Sequence, residues 1–366
     1  MANPKLKRRP RGRPPGSSSQ YRTIAADLTS RLAAGEWPIG KPIPSYRQLA
    51  LHYQTGIHTI QLALKDLAVD GHVIIQPGRP PVAALGASLS AVMSGTIAIV
   101  LPVGFYDVLE TPYRLDLIRG VANIAQRDGF PLLMLQDTRR WRTEFPTGLR
   151  YLPLTGIILL GPLPNAVLQQ YEKLECPVVL LDQPAQASKL HSVAVDNYNS
   201  AFDAASRLIA RGHRRIAYIR TITYSVRDID PDAKERHSGF LAACAKAELE
   251  KDEFKVYSMS FGNLKPSLQK VLTAKPRISA AICDSIAISE IAAHAGLVVP
   301  RDLSLATYMT KGTSGENSGP QIDFELMGRT ALEVILRNPP APEHIRIPTK
   351  WKEGKSIATL PARFNR

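Results

Sequence analysis

Cysteine is scarce in this chain: Cys176, Cys244 and Cys283 stand far apart in 366 residues, odd in number and without CxxC spacing. Such a pattern provides neither a disulfide framework nor a cysteine metal site, so buried thiols are expected. Long hydrophobic runs are missing too. With 44% hydrophobic residues the chain can build packed cores, yet no stretch approaches the ~18 apolar residues of a membrane span. The opening MANPKLKRRPRGRPPG is basic but lacks the apolar stretch of an export signal, which points to a cytoplasmic protein with no membrane partner. Signatures of catalysis are absent as well, with no G-x-S-x-G, H-E-x-x-H, P-loop or helix-opening G-x-G-x-x-G, and the eight histidines are scattered. A non-enzyme without metal or cofactor is the expectation.

Acidic residues are lacking where basic ones gather. The first twenty positions hold Lys5, Lys7, Arg8, Arg9, Arg11 and Arg13 and no carboxylate, while residues 21–90 hold six basic and four acidic side chains. More than half of the net charge of +14 therefore falls in the first quarter of the chain, and a polyanion is its natural partner.

A length of 366 residues suits two folded units at ~100–200 residues per domain. Residues 5–20, rich in Pro, Gly, Ser and Arg, have little to bury and read as a disordered basic tail over 1–20. Tyr21, Ile24, Leu28 and Leu32 recur every three or four residues, predicting an amphipathic helix closed by Gly35. Ser45 followed by Gln48 has the form of a capping box, and Ile60, Ala63, Leu64 and Leu67 mark one face of a helix over 57–69 that ends at Gly71. Residues 72–76 and 82–84 read as two short strands around the basic turn 77–81, a wing. These elements form a head over 21–85. Residues 86–95 are small and polar and read as a linker. Beyond it, the apolar runs 96–102, 131–135, 156–161, 177–182, 215–219, 279–283 and 303–307 alternate with helical stretches such as 113–127. That alternation predicts an α/β body over 96–362 with parallel sheets wrapped by helices.

The head resembles the winged helix-turn-helix of the GntR family, through Pro44-Ser45-x-Arg47-x-Leu49-Ala50 and Thr59-Ile60-x-x-Ala63-Leu64-x-x-Leu67-x-x-x-Gly71. A recognition helix must offer polar groups to base edges in the major groove, and His58, Thr59, Gln61 and Lys65 are placed to do so. Ser45 and Arg47 at the start of the preceding helix, with Gly78 and Arg79 at the wing tip, complete the expected DNA contacts. The chain departs from the family where arginines are usual, with Gln54-Thr55-Gly56-Ile57 before Thr59 and glutamine at position 61. In the tail, Arg9-Pro10-Arg11-Gly12-Arg13-Pro14 resembles an AT-hook core, in which Gly12 lets the backbone lie deep in a narrow A·T minor groove; an unspecific basic arm is the alternative.

The body resembles the LacI-like effector domain related to periplasmic sugar-binding proteins, and the whole has the architecture of the AraR-like regulators. Landmarks include Val195-Asp196-Asn197, the helix ending Leu208-Ile209-x-x-Gly212-His213-Arg214-Arg215, then Arg236-x-x-Gly239-Phe240, Val299-Pro300-x-Asp302-Leu303-Ser304 and Met327-Gly328-Arg329. The resemblance implies two lobes closing on a small molecule at the carboxyl ends of their strands. It makes Arg236 the cleft arginine, although a surface arginine at a helix end would fit the same position. Phe105, Tyr106 and Phe261 fall where cleft aromatics stand, with core packing as the alternative. Where sugar-responsive relatives place Asn before Asp this chain has Cys283 before Asp284, and Met309 stands where they have an acidic residue. The pocket is thus expected to be less polar, for a sugar, a modified sugar, or no ligand at all. His213 belongs to a helix-end landmark and is expected to be structural. Together these readings describe a homodimeric repressor whose operator binding is modulated by a small molecule; an architectural A·T-binding protein whose body only dimerises is the alternative.

Overall fold

Three helices and a two-stranded ribbon come first: α1 (Ser17–Ala33), α2 (Tyr46–His52), α3 (Ile57–Val69), β1 (Val73–Ile74) and β2 (Val82–Ala83). The computed structural model describes residues 17–84, 86, 95–101, 112–136, 145, 149–150, 152–161, 163–185, 188–222, 231–260, 264–284, 288–312 and 315–361. Ile24, Leu28, Leu49, Ile60, Leu64 and Leu67 meet in one small core that β1 and β2 close with Val73 and Ala83. The periodic face read for α3 is thus the buried one. Helix α1 starts at Ser17, inside the stretch expected to be disordered, because a helix already nucleated by its docked face extends at little further cost. Gly71, at φ 71°, ends α3 by donating its N–H to the Ala68 carbonyl at 3.2 Å. The ribbon is shorter than the sequence suggests. It pairs Val73 with Ala83 and Ile74 with Val82, and Pro77, Pro80 and Pro81 beyond it have no N–H to continue the ladder.

The remaining elements are β3 (Thr96–Leu101), α4 (Pro112–Asp128), β4 (Leu132–Gln136), β5 (Leu154–Leu160), α5 (Asn165–Tyr171), β6 (Val178–Leu181), β7 (His191–Val195), α6 (Asn197–Ala210), β8 (Ile216–Ile222), α7 (Pro231–Lys246) and β9 (Phe254–Ser260). They continue with α8 (Leu264–Thr273), β10 (Ala280–Cys283), α9 (Ile288–His294), β11 (Ser304–Thr307), β12 (Met309–Thr310), β13 (Gly319–Ile322), α10 (Phe324–Arg337), β14 (His344–Ile347) and β15 (Lys350–Lys352). Chain contacts divide into two compact units, residues 1–96 with 146–154 and residues 97–145 with 155–366.

In the second unit a six-stranded sheet runs β14-β7-β6-β5-β3-β4 and a four-stranded sheet runs β11-β10-β8-β9. The chain crosses from the first sheet to the second after β7, returns through α10 and β14, and crosses again to β15. Runs such as TIAIVL are buried along their whole length because helices cover both faces of a parallel sheet. The small sheet β12-β13-β15 adds what the expected parallel pattern omits, an antiparallel pairing of Gly319 with Lys352 and Gln321 with Lys350.

Alternation along the four-stranded sheet sorts its side chains onto two faces. Tyr218, Ile282, Ala306 and Tyr308 share one core with Phe240 of α7, while Ala217, Ile219, Cys283 and Leu305 share another with Leu268 of α8. Cys244 and Cys283 are buried, whereas Cys176, in the turn before β6, is only partly so. Helices α6 and α7 lie unusually close. A Cβ on Gly239 would stand 2.0 Å from the Tyr198 carbonyl oxygen, so only glycine permits this approach. Among the described residues no helix is long and apolar enough to cross a membrane.

Candidate nucleic-acid interface and effector site

In the head, α2 begins at the expected capping box: the Ser45 hydroxyl accepts the Gln48 N–H at 3.4 Å while the Ser45 N–H donates to Gln48 Oε1 at 2.8 Å. The Ser45 side chain is thereby held at the helix terminus, a constraint on its reading as a DNA contact. Arg47, one residue into α2, is exposed. On α3, His58, Gln61 and Lys65 point to solvent and Thr59 is partly buried. Gly78 and Arg79 are exposed at the turn of the ribbon. An unforeseen hub fixes α1 to α2: Arg31 donates to both Glu36 carboxylate oxygens, at 2.5 and 2.6 Å, and to the Tyr53 hydroxyl at 3.1 Å, which itself donates to Asp27. The i, i+4 spacing of Asp27 and Arg31 and the placing of Glu36 just past the helix end were the available signals. Arg9, Arg11, Gly12 and Arg13 lie outside the described residues.

In the body, polar groups converge at the carboxyl ends of the four-stranded sheet. Arg236, in the second turn of α7, is partly buried; its Nε donates to Asn197 Oδ1 at 2.7 Å and its guanidinium lies 4.5 Å from the centre of the Tyr308 ring. Burial opposes its charge, but Tyr218, Tyr308, Asp232 and Asp284 around it outweigh that and hold it more firmly protonated than an ordinary arginine. The helix approach that Gly239 allows is what brings Asn197 and Arg236 together, since Tyr198 adjoins the one and Gly239 sits three residues after the other. Asn197 is fully buried, and its Nδ2 has no hydrogen-bond partner among the described residues. Buried donors and acceptors of this kind are costly unless something satisfies them.

Arg236 is therefore the centre of an internal cluster rather than a surface cap. Asn197, Tyr218 and Tyr308, which sequence reasoning missed, surround it, with Ser200 beside Tyr308; a residue just past a strand end, as Tyr308 is past β11, was the available signal. Cys283 is a correction. By strand alternation it belongs to the core opposite Tyr218 and Tyr308, so its thiol is turned away from the face that carries Arg236. Asp284, the next residue, falls on that face and acts on Arg236 electrostatically. Met309 is buried in β12, opposite Gln321 of β13, one place beyond the residue that stacks on Arg236. Phe105, Tyr106 and Phe261 lie outside the described residues.

His213 has the structural place expected of it. It is buried, with Nε2 3.0 Å from the Ala358 carbonyl and Nδ1 3.0 Å from the Ser279 hydroxyl. Burial pushes its pKa down.

Comparison with known proteins places both halves. Residues 20–81 match the bacterial regulatory proteins of the gntR family, and residues 205–357 match the periplasmic binding protein-like domain. The chain joins a GntR-type helix-turn-helix to a periplasmic binding protein-like body. It is 26% identical over 235 residues to the HTH-type transcriptional repressor CytR of Escherichia coli strain K12, a match covering 61% of this chain and 65% of that one. It therefore spans just under two thirds of that repressor's length. To the arabinose metabolism transcriptional repressor of Geobacillus stearothermophilus it is 23% identical over 316 residues, covering 79% of this chain and 81% of that one. Among solved structures, a LacI family transcriptional regulator from Enterococcus faecium with bound ribose superposes with a TM-score of 0.60 at 17% identity, over 73% of this chain and all of that one. The body thus has the fold of LacI family regulators.

Proposed function

We propose that the protein is a cytoplasmic, non-enzymatic transcriptional repressor that binds a duplex operator as a homodimer and releases or grips it according to a small polar molecule, a sugar or sugar derivative, held against Arg236. One observation carries the reading: a single chain presents a helix of exposed polar side chains, His58, Gln61 and Lys65, and also gathers a buried polar cluster at the carboxyl ends of a parallel sheet. The first arrangement suits base edges and the second suits a ligand rich in hydroxyls. That two relatives of this kind are repressors, and that a protein of the same fold holds ribose, supports it. The ligand can act only by binding one arrangement of the body more tightly than the other.

Genome-wide footprinting combined with thermal-shift measurements over a carbohydrate library tests the reading. A few protected palindromes and a stabilising sugar are the expected results. Diffuse protection of A·T-rich DNA with no stabilising sugar would instead fit an architectural protein.

A further inference from the structure

The first residue of α3 is apolar and turned outward. Ile57 is 45% exposed, while Ile60, three residues on, is wholly buried. A single exposed isoleucine is unremarkable by itself. Ile57, however, shares the rim of a depression of about 500 Å³ with Arg47, Leu51, Gln54 and Thr55, at the junction of α2 and α3. Gly56, which precedes it, has nothing within 4 Å of where a Cβ would stand, so the approach to this helix end is open. One turn further along the same stripe stands Gln61, and one turn beyond that Lys65, both exposed. No arginine occurs anywhere on α3.

Resting on the reading of the head as a DNA-binding unit, the geometry points to a recognition helix that reads A·T pairs: Ile57 packs on the 5-methyl group of a thymine and Gln61 pairs with an adenine. The chemistry follows from the groove code. Guanine is read chiefly by arginine or lysine through O6 and N7, adenine by glutamine or asparagine through N6 and N7, and thymine by apolar contact with its methyl group. Residues near the N-terminus of a recognition helix are the ones that reach base edges. Lys65 lies two turns in and suits a phosphate, which positions the helix without reading sequence. At 1.5 Å of rise per residue, Ile57 and Gln61 are ~6 Å apart along the helix, about two base-pair steps of 3.4 Å. The two A·T pairs therefore stand about two steps apart within each half-site.

The test uses the full chain. Selection from a random duplex library yields preferred sites, and fluorescence anisotropy then compares each winning duplex with versions in which single thymines are replaced by uracil. That exchange removes only the methyl group. One thymine per half-site is expected to lose ~4-fold in affinity on the exchange, the worth of one buried methyl group. Ile57→Ala binds the thymine and uracil duplexes alike, while Ile57→Val keeps part of the difference. Gln61→Ala loses ~10-fold or more at an adenine about two steps away and relaxes selection there. Enriched sites with no uracil-sensitive thymine, or an Ile57→Ala chain that keeps the sensitivity, overturn the inference and leave the DNA-binding reading standing. Selection that enriches no duplex overturns both.

Discussion

The two functional regions of this chain are built in opposite ways. In the head the side chains proposed to meet a partner, Arg47, His58, Gln61, Lys65 and Arg79, stand exposed on elements whose other faces are packed. In the body the central group is a charged side chain drawn inward, held by Asn197 on one side and by the Tyr308 ring on another. A partner as large as the proposed duplex would come to the surface, so the head could keep its stability and its recognition on separate residues. A small ligand must be surrounded, so in the body the groups that would bind it also hold the lobe together.

The sharpest break in that comparison is a pair of arginine substitutions. Arg236→Ala removes the cation that Asp232 and Asp284 face inside the lobe, and taking away one side of such an arrangement costs about 3 kcal/mol. For a body of this size that lowers the melting temperature by roughly 6–12 °C. Arg47→Ala, on the exposed start of α2, changes stability by no more than about 0.5 kcal/mol and instead weakens duplex binding. Calorimetry and anisotropy on both variants decide the matter. Equal melting temperatures would mean that the body separates stability from recognition just as the head does.

This contrast also governs what could be read from the sequence. The head was legible because its signals are local: a serine three residues before a glutamine, four apolar positions on one helical face, a glycine at the end. Strands such as β3, β5 and β6 were legible because burial on both faces leaves an unbroken apolar run. Strand β14, HIRI, was not, since it is an edge strand with only Ile347 buried, and β9 and β15 carry lysines that interrupt the run. The site in the body was seen only through Arg236 and Asp284. Asn197, Tyr218 and Tyr308 come from three separate elements, and no local pattern states that they meet. Cys283 shows the limit most clearly, because its neighbour Asp284 lies on the cluster's face while strand alternation turns the thiol to the opposite core.

A smaller effect separates the regions by pH. His213, buried between Ser279 and Ala358, has its pKa pushed down by burial, and burial shifts His191 and His237 the same way. All three are in the body. A native ring that resists protonation gives stability that is complete above the unfolded value of ~6.5 and declines as the pH falls below it, because the unfolded chain then takes up the proton first. The body's melting temperature is therefore expected to fall between pH 7.5 and pH 5.5. His213→Gln removes part of that dependence, and an unchanged slope in this variant would assign the effect to other groups.

The smallest expected effect concerns the joint between the two sheets of the body. Arg346 of β14 makes two bonds, at 2.7 and 2.8 Å, to the Glu235 carboxylate on α7, and its Nη1 also donates to the Val195 carbonyl at 3.3 Å, beside the first crossing of the chain. The pair ties an element of the six-stranded sheet to one of the four-stranded sheet. Arg346 is 38% exposed and Glu235 20%, so water screens the attraction and its worth is about 1 kcal/mol or less. Glu235→Gln should lower the melting temperature by a few degrees at most, and ~1 M salt should abolish the difference, because screening then acts within ~3 Å. If the lobes move when a ligand binds, the same substitution changes ligand affinity by more than it changes stability. A variant that melts identically and binds identically would show that the pair contributes nothing, and that the joint is held by the backbone crossings alone.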